Sequence, residues 1–369
     1  LAAAAEQALS NSNPDLALAL ALQSVEIDNP PPLAHRALAD VTYGPGTRYL
    51  LEGHDAFISV VAYSPDGETM LSAGGDGSLC LWDAEDGSMI RCESAHEGVV
   101  TGAVYLENGE QYLTVSEDGT MRRWATESGE LLQQYDFESA GLEFQIDEEG
   151  NAALVRSADG EVLLSSASAN SGTLERYSFA GGFEGGLLSV AVDEEHGRVL
   201  TGVAGGLILL WDLDTGQVIR EYDAHTDDTV SVDFSPDGRL FASASDDETA
   251  MVWEVEKDQP LAVLEGHRSR LLTVRFSPDG LALATGSWDT TAILWDMRTF
   301  EEIRKFEGHT GGVTHIEFLP EKQAILTSSW DNSLRLWNIV TGAVLREFNG
   351  HTGGVNALAI SPDRSVAIS

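Results

Sequence analysis

From about Tyr49 onward, short runs of alternating apolar and β-branched residues are separated by turn sequences. Such alternation predicts β-strands with buried faces. The turns Ser64–Gly67, Ser235–Gly238 and Ser277–Gly280 all read Ser-Pro-Asp-Gly, a sequence typical of tight connections between antiparallel strands. The pattern therefore predicts a series of small antiparallel sheets.

Residues 1–43 have a different pattern, rich in alanine and leucine. Asn13 can cap a helix that begins at Pro14, and three consecutive prolines would end it before a second helix over 33–41. We therefore predict a short helical hairpin over residues 1–43 and a separate β domain over residues 44–369.

The β region contains an internal repeat marked by tryptophan. Six of the eight tryptophans are 42 residues apart, except for one gap of 87 that fits two slightly long repeats: Trp82, Trp124, Trp211, Trp253, Trp295 and Trp337. This period is typical of β-propellers, in which each unit forms one blade. A single small sheet cannot bury both faces, whereas radial stacking buries them and ring closure removes exposed edges.

Five repeats keep a set of four residues that we call a tetrad. A His lies 28 residues before the Trp, a Ser or Thr lies 10 before it and an Asp lies 6 before it. The tetrads are His54, Ser72, Asp76, Trp82; His96, Thr114, Asp118, Trp124; His225, Ser243, Asp247, Trp253; His267, Thr285, Asp289, Trp295; and His309, Thr327, Asp331, Trp337.

Two dipeptides add to the tetrads: Gly-His opens repeats, as at Gly53-His54 and Gly350-His351, and Trp-Asp closes them, as at Trp82-Asp83 and Trp295-Asp296. Together these residues resemble the WD40 family over residues 47–369. The resemblance implies an all-β propeller of seven to eight four-stranded blades, here preceded by the N-terminal α-helical hairpin. It also implies that each tetrad Asp holds the His, which meets the hydroxyl that accepts from the Trp indole.

Two repeats depart from the pattern. The fourth has Phe183 and Gly205 at the His and Asp positions, and the third has Ser166 near the expected Trp. We expect the third repeat to form the least stable blade. Its sequence has either drifted without consequence or been reshaped to receive a partner.

The number of blades is open between seven and eight. An eighth repeat begins at Gly350, places Ser369 at the hydroxyl position and is expected to continue beyond it. Residues 47–51 resemble the strand before each Gly-His, which favours eight blades with these residues as the closing strand. The alternative is seven blades, with residues 350–369 leading into a second propeller.

Acidic residues outnumber basic residues 60 to 21, a formal charge of −39, so nucleic acid is not an expected partner. No apolar run is long enough for direct membrane insertion. Cys80 and Cys92 lie nearly opposite on successive predicted strands, where a disulfide is possible, although two buried free thiols are favoured. Cytoplasmic and cell-surface locations both remain open, as does the oligomeric state.

The chain is not predicted to be an enzyme. Ser, His and Asp occur together as in hydrolase triads, but they recur five times, always with a Trp, which favours a structural role. The sequence contains no phosphate-binding glycine loop and no metal-ligand spacing outside the tetrads, so no cofactor or metal is expected.

The resemblance implies partner binding on the top face, near the residue before each tetrad Asp and the residue three after each His. Trp288 and Trp330 occupy the first position on adjacent repeats, and Phe57 and Arg270 would flank them. The two tryptophans either form an interface patch or pack against neighbouring blades for stability.

We therefore predict a non-catalytic scaffold or sensor module for a protein or peptide partner. One alternative is a structural subunit of an extracellular or cell-surface assembly. Another is the sensor arm of an ATPase- or kinase-linked signalling protein, since the helical start resembles the joint before propellers in large bacterial multidomain proteins.

Overall fold

The computed structural model describes residues 49–369 with interruptions at 107–108, 137–142, 147–151, 157–160, 167–174, 179–185, 194, 214, 321–322 and 363–365. Between residues 143 and 178 it describes four strands by their backbone pairing alone. The predicted helical hairpin over residues 1–43 lies outside the described residues.

Six four-stranded antiparallel sheets each contain one of the repeating tryptophans, and we name each blade after its tryptophan. The strands run in sequence order from the inner to the outer edge of each blade. Their bounds are β1 Ile58–Tyr63, β2 Thr69–Gly74, β3 Ser78–Asp83 and β4 Met89–Ser94; β5 Val100–Tyr105, β6 Gln111–Ser116, β7 Thr120–Ala125 and β8 Leu131–Asp136; β13 Leu187–Asp193, β14 Arg198–Val203, β15 Leu207–Asp212 and β16 Val218–Asp223; β17 Thr229–Phe234, β18 Leu240–Ser245, β19 Thr249–Glu254 and β20 Pro260–Glu265; β21 Leu271–Phe276, β22 Ala282–Ser287, β23 Thr291–Asp296 and β24 Glu302–Glu307; β25 Val313–Leu319, β26 Ala324–Ser329, β27 Ser333–Asn338 and β28 Val344–Asn349.

Between the Trp124 and Trp211 blades, four further strands pair in the order β12-β11-β10-β9. They are β9 Glu143–Ile146, β10 Ala152–Arg156, β11 Glu161–Ser166 and β12 Glu175–Ser178. This is the degenerate third repeat. The strand pairing does not test the predicted low stability of this blade, which stays a prediction.

Burial follows the position of a strand within its blade. The second strand is almost wholly buried, as in β2 and β18, whereas the fourth strand consists mainly of exposed and half-buried residues, as in β4 and β28. The second strand is buried because both of its faces pack against neighbouring blades, so its residues are apolar or small throughout. The apolar core therefore lies between the blades.

Three of the first-to-second strand turns read Ser-Pro-Asp-Gly, and they share one geometry. In each turn the Ser hydroxyl donates to the Asp carboxylate at 2.6 to 2.7 Å, as between Ser64 and Asp66. The Gly adopts a left-handed conformation, with φ of 73° at Gly67. Only glycine takes this φ at little cost, so the Asp-Gly pair fixes where each hairpin turns.

Residues 350–362 and 366–369, the C-terminal segment, lie between the last and the first blade. They form two short strands, β29 Ala359–Ile360 and β30 Ala367–Ile368. Val355 packs with Leu326 of the Trp337 blade, and Ile368 packs with Val61 of the Trp82 blade. The C-terminal segment therefore packs against both the last blade and the first blade.

The structure corrects the predicted number of seven to eight four-stranded blades. Six blades contain the repeat's tryptophan, and the C-terminal segment pairs only two residues per strand rather than forming a further four-stranded blade. Residues 49–51 are not in a strand, so they do not close an eighth blade as we expected. The described residues contain no α-helix.

Cys80 and Cys92 form a disulfide between β3 and β4, where they are direct cross-strand partners. The two buried free thiols that we favoured from the sequence are therefore not what the structure shows. Because the strand register places the two residues opposite each other, a bond forms without any change in pairing.

Replacing both Cys80 and Cys92 with alanine should lower the free energy of unfolding by about 2 kcal/mol, since the bond closes a short loop in the unfolded chain. Denaturant unfolding of the wild type with and without reductant gives the matched measurement. Equal midpoints in the two conditions, with two titratable thiols, would contradict the disulfide.

Candidate interaction surface

All five tetrads are brought together by hydrogen bonds. Each His uses Nδ1 to meet its Asp and Nε2 to meet its Ser or Thr, at 2.7 to 3.2 Å. Each Trp donates its indole N–H to the same hydroxyl at 2.8 to 3.2 Å. Polar groups buried inside each blade are thus paired, as a stable core requires.

Burial keeps three of the tetrad histidines neutral. Burial lowers the pKa of His96, His225 and His309, against the opposing effect of the partner Asp. Burial also acts to raise the pKa of the Asp331 carboxyl, but hydrogen bonds from Ser333, the Thr310 amide and His309 outweigh it, and the pKa falls to about 2. The pairs in the Trp124, Trp253 and Trp337 blades are therefore neutral imidazoles bound to carboxylates at neutral pH.

The Trp211 blade keeps only part of this network. The Trp211 indole donates to Thr201 at 2.9 Å, while Gly205 stands at the Asp position and donates its backbone N–H to Asp228 of the next blade at 2.8 Å. The Gly205 amide is thus paired by a contact across the blade boundary.

The top face is formed by two sets of loops, those that carry each tetrad His and those between the second and third strands. In each blade the residue before the Asp position donates its backbone N–H to the carbonyl of the residue three after the His position. Trp288 donates to Arg270 at 2.9 Å and Trp330 donates to Gly312 at 3.0 Å. The two positions named by the resemblance are therefore adjacent on this face.

Trp288 and Trp330, which we call the platform, are in contact. Their ring centroids are 4.2 Å apart with an interplanar angle of 79°. The Arg270 guanidinium lies 4.5 Å from the Trp288 ring centroid, and the Trp330 indole donates to Asn356 of the C-terminal segment at 3.1 Å. Trp288 is 44% exposed and Trp330 is half-buried. The platform thus exposes aromatic surface, while Arg270 contacts it on one side and Asn356 on the other.

Small residues leave room for the platform. A Cβ atom at Gly312 would lie 3.1 Å from the Cε3 atoms of both Trp288 and Trp330, and one at Gly354 would lie 2.7 Å from Cδ1 of Trp330. Each Trp therefore sits over the glycine three after the His position of the next repeat.

The same pairing, between the residue before each tetrad Asp and the residue three after the next His, explains a contact that we did not predict. Asp246, before the Asp of the Trp253 blade, lies 3.6 Å from Arg270 of the next blade. A row of contacts consequently runs from Asp246 through Arg270 and the platform to Asn356. Comparing the residue before each Asp with the residue three after the next His would have revealed it in the sequence.

Phe57 is not joined to this row by the contacts of the described residues. Its side chain is 59% exposed and its ring lies over Gly75 of its own blade, where an added Cβ would come within 2.6 Å. Of the four predicted partner-binding residues, the structure brings together Trp288, Trp330 and Arg270.

The described residues contain no group of three or more His, Cys, Asp or Glu side chains arranged to hold a metal ion. None of the described segments is a helix long and apolar enough to cross a membrane.

The repeats match the model of a known protein family. The family model described as WD domain, G-beta repeat, matches residues 46–83, 216–254, 258–296, 300–338 and 342–369. The chain belongs to the WD40-repeat β-propeller family. WD40 propellers serve in general as non-catalytic scaffolds for protein interactions.

Two individual WD40 comparisons are informative. The chain is 43% identical over 63 residues to WD repeat-containing protein SL1-17 of Schistosoma mansoni, a match that spans 17% of this chain and 21% of that protein. It is similar in fold to the crystal structure of the computationally designed Ika8 protein, with a TM-score of 0.72 and 25% identity, over 84% of this chain and 92% of that one.

Proposed function

We propose that this WD40 propeller is a non-catalytic module that binds a protein or peptide partner on its top face, with the platform of Trp288 and Trp330 at the centre of the interface. The observation that carries the proposal is the 44% exposure of Trp288 beside Trp330. Tryptophan and arginine are the residues that most often dominate the binding energy of interfaces, and exposed apolar patches mark such sites.

Arg270 supports this role because it is positioned before any partner arrives. Its guanidinium is held between Asp246 at 3.6 Å and the Trp288 ring at 4.5 Å, and its side chain remains 44% exposed. Side chains that are ordered before binding lose less conformational entropy when a partner docks.

A non-catalytic role agrees with the tetrads. The side chains of His96 and His225 are fully buried, and the hydroxyl each one meets is also bonded to a tryptophan. A hydrolytic triad needs a hydroxyl that a substrate can reach, whereas these hydroxyls support the interior of each blade.

Replacing Trp288 and Trp330 together with alanine should abolish partner capture and leave the melting temperature nearly unchanged. The test compares proteins retained by the full chain with those retained by the variant, using quantitative mass spectrometry. The matched control replaces Ile219 and Leu345, exposed at 50% and 52% on outer strands, with alanine. A large fall in melting temperature for the platform variant would assign the tryptophans to packing, and equal capture would contradict the proposal.

A second role, a structural subunit of an extracellular or cell-surface assembly, is supported by the Cys80–Cys92 disulfide, since disulfides persist mainly in oxidising compartments. Fractionation of the intact protein with the thiols blocked tests it, and a reduced protein in the cytoplasm would contradict it. The role of sensor arm in an ATPase- or kinase-linked signalling protein depends on other domains and stays a prediction.

A further inference from the structure

Four carboxylates gather on the top face next to the platform. Asp227 and Asp228 precede β17, and Asp246 and Glu248 lie between β18 and β19; we call these four residues the acidic sector. The two loops that carry them contain no lysine or arginine. Burial raises the pKa of Asp246, and the nearby Asp227 and Asp228 carboxylates raise it further, against the lowering effect of Arg270. The Asp246 amide also donates to the Asp228 carbonyl at 3.0 Å, so the two loops are in contact.

Arg270 does not cancel the charge of the sector. It pairs with Asp246, whereas the ion pairs of the described residues include none for Asp227, Asp228 or Glu248. Asp227 and Glu248 are exposed and Asp228 is half-buried. The sector thus keeps an excess of negative charge on the accessible surface.

The opposite side of the platform is neutral. Residues 308–312 and 330–332 contain one charged residue, Asp331, and that carboxylate is held by His309 at 2.8 Å. The top face therefore changes from acidic on the Trp253 blade to aromatic and nearly uncharged on the Trp337 blade, with Arg268 and Arg270 of the Trp295 blade between them. Arg270 joins the two parts, because it contacts both Asp246 and Trp288.

We infer that the partner's docking segment is a basic linear peptide, with an apolar anchor on the platform and Lys or Arg side chains against the acidic sector. The inference rests on the proposed function and adds the chemistry of the partner. Opposite charges across an interface accelerate encounter and select partners, while the buried apolar anchor supplies most of the affinity. The overall charge of −39 acts in the same direction, since it repels acidic competitors.

Fluorescence anisotropy with the full chain tests the inference. The probes are labelled nonapeptides with a central tryptophan flanked by four arginines, four glutamates or four serines. The arginine peptide should bind, the serine peptide should bind about tenfold more weakly, and the glutamate peptide should show no binding. Raising the salt concentration should weaken the arginine peptide and leave the serine peptide unaffected.

Three variants separate the contributions. D227N/D228N/E248Q keeps side-chain oxygens as acceptors, including the one that Asp228 offers to the Gly205 amide. It should weaken the arginine peptide about tenfold and leave the serine peptide unchanged. The control D55N/E97Q/E117Q removes the same charge from other blades of the same face and should change binding less than about twofold. W288A/W330A should remove binding of both peptides.

The outcomes distinguish the two proposals. Equal binding of the arginine and glutamate peptides, or equal weakening by the control variant, would overturn the basic partner and leave the platform as the binding site. Binding of the arginine peptide that survives W288A/W330A would overturn the proposed function itself. A dimer of the full chain that dissociates in W288A/W330A would show that a second copy occupies the platform and would also overturn the basic peptide. If none of the peptides binds, the partner's docking segment is not a linear peptide. The capture experiment then still tests whether the platform is the binding site.

Discussion

Replacing Trp253 with alanine is expected to lower the free energy of unfolding by about 4 kcal/mol, the usual cost of removing a buried tryptophan. Trp253 is 1% exposed, and its ring stacks on Phe241 at 5.7 Å with an interplanar angle of 3°. It also meets Tyr222 at 5.5 Å. Alanine would leave a cavity among these rings that the surrounding blade can only partly fill. Denaturant unfolding followed by far-ultraviolet circular dichroism gives the measurement.

The matched control is Trp288→Ala, which removes the same side chain from an exposed site. Trp288 is 44% exposed, so its loss should cost only about 1 kcal/mol, from the contacts with Trp330 and Arg270. Similar losses in the two variants would show that tryptophan stabilises this chain in some way other than burial between blades.

The tetrads are the part of the structure that the sequence predicts best, for a physical reason. The separations of His, hydroxyl and Trp in sequence are set by strand lengths and tight turns within one blade, so the spacing fixes the geometry. Trp253 and Ser243, 10 residues apart, are hydrogen-bonded at 3.2 Å because β18 and β19 pair directly. Local strand pairing is what a repeat pattern encodes.

Contacts between blades are harder to predict from the sequence. The Arg270 side chain contacts Asp246 across a blade boundary and Trp288 within its own blade, and although these positions recur in every repeat, the residue types that occupy them do not. The number of full blades was overestimated for a related reason. Gly350-His351 opens a repeat in sequence, and His351 does meet Ser369 at 2.7 Å, yet the strands around them pair over only two residues each.

The inner strands place one further group of charged residues together. Asp233, Arg275 and Glu317 occupy equivalent positions on β17, β21 and β25, each 42 residues from the next, with His315 two residues before Glu317. The His315 Nδ1 atom is buried and has no hydrogen-bond partner among the described residues. Burial lowers the pKa of His315 to about 4, and Arg275 lowers it as well. Burial, together with the nearby Glu317, raises the pKa of Asp233 to about 8, against the hydrogen bond from the Phe276 amide.

These two residues should make opposite contributions to stability as the pH changes. The unfolded chain protonates histidine at about pH 6.5, so the His315 contribution is complete above that pH and is lost as the pH falls towards 4. For Asp233 the folded chain takes up the proton first, so its contribution grows as the pH falls from 8 towards 4. The two effects partly cancel in the wild type, and single variants are needed to separate them.

His315→Gln should gain stability relative to the wild type by up to about 3 kcal/mol as the pH falls from 7 to 4, because the variant has no imidazole to keep neutral. Asp233→Asn should show the opposite trend and lose stability relative to the wild type as the pH falls from 8 to 4. Guanidinium unfolding at matched pH values gives both differences, and the titration of the tetrads cancels because it is common to all three proteins. Parallel stability curves for the wild type and His315→Gln would show that the folded protein accommodates a charged imidazole at this position, with water or Glu317 compensating its charge.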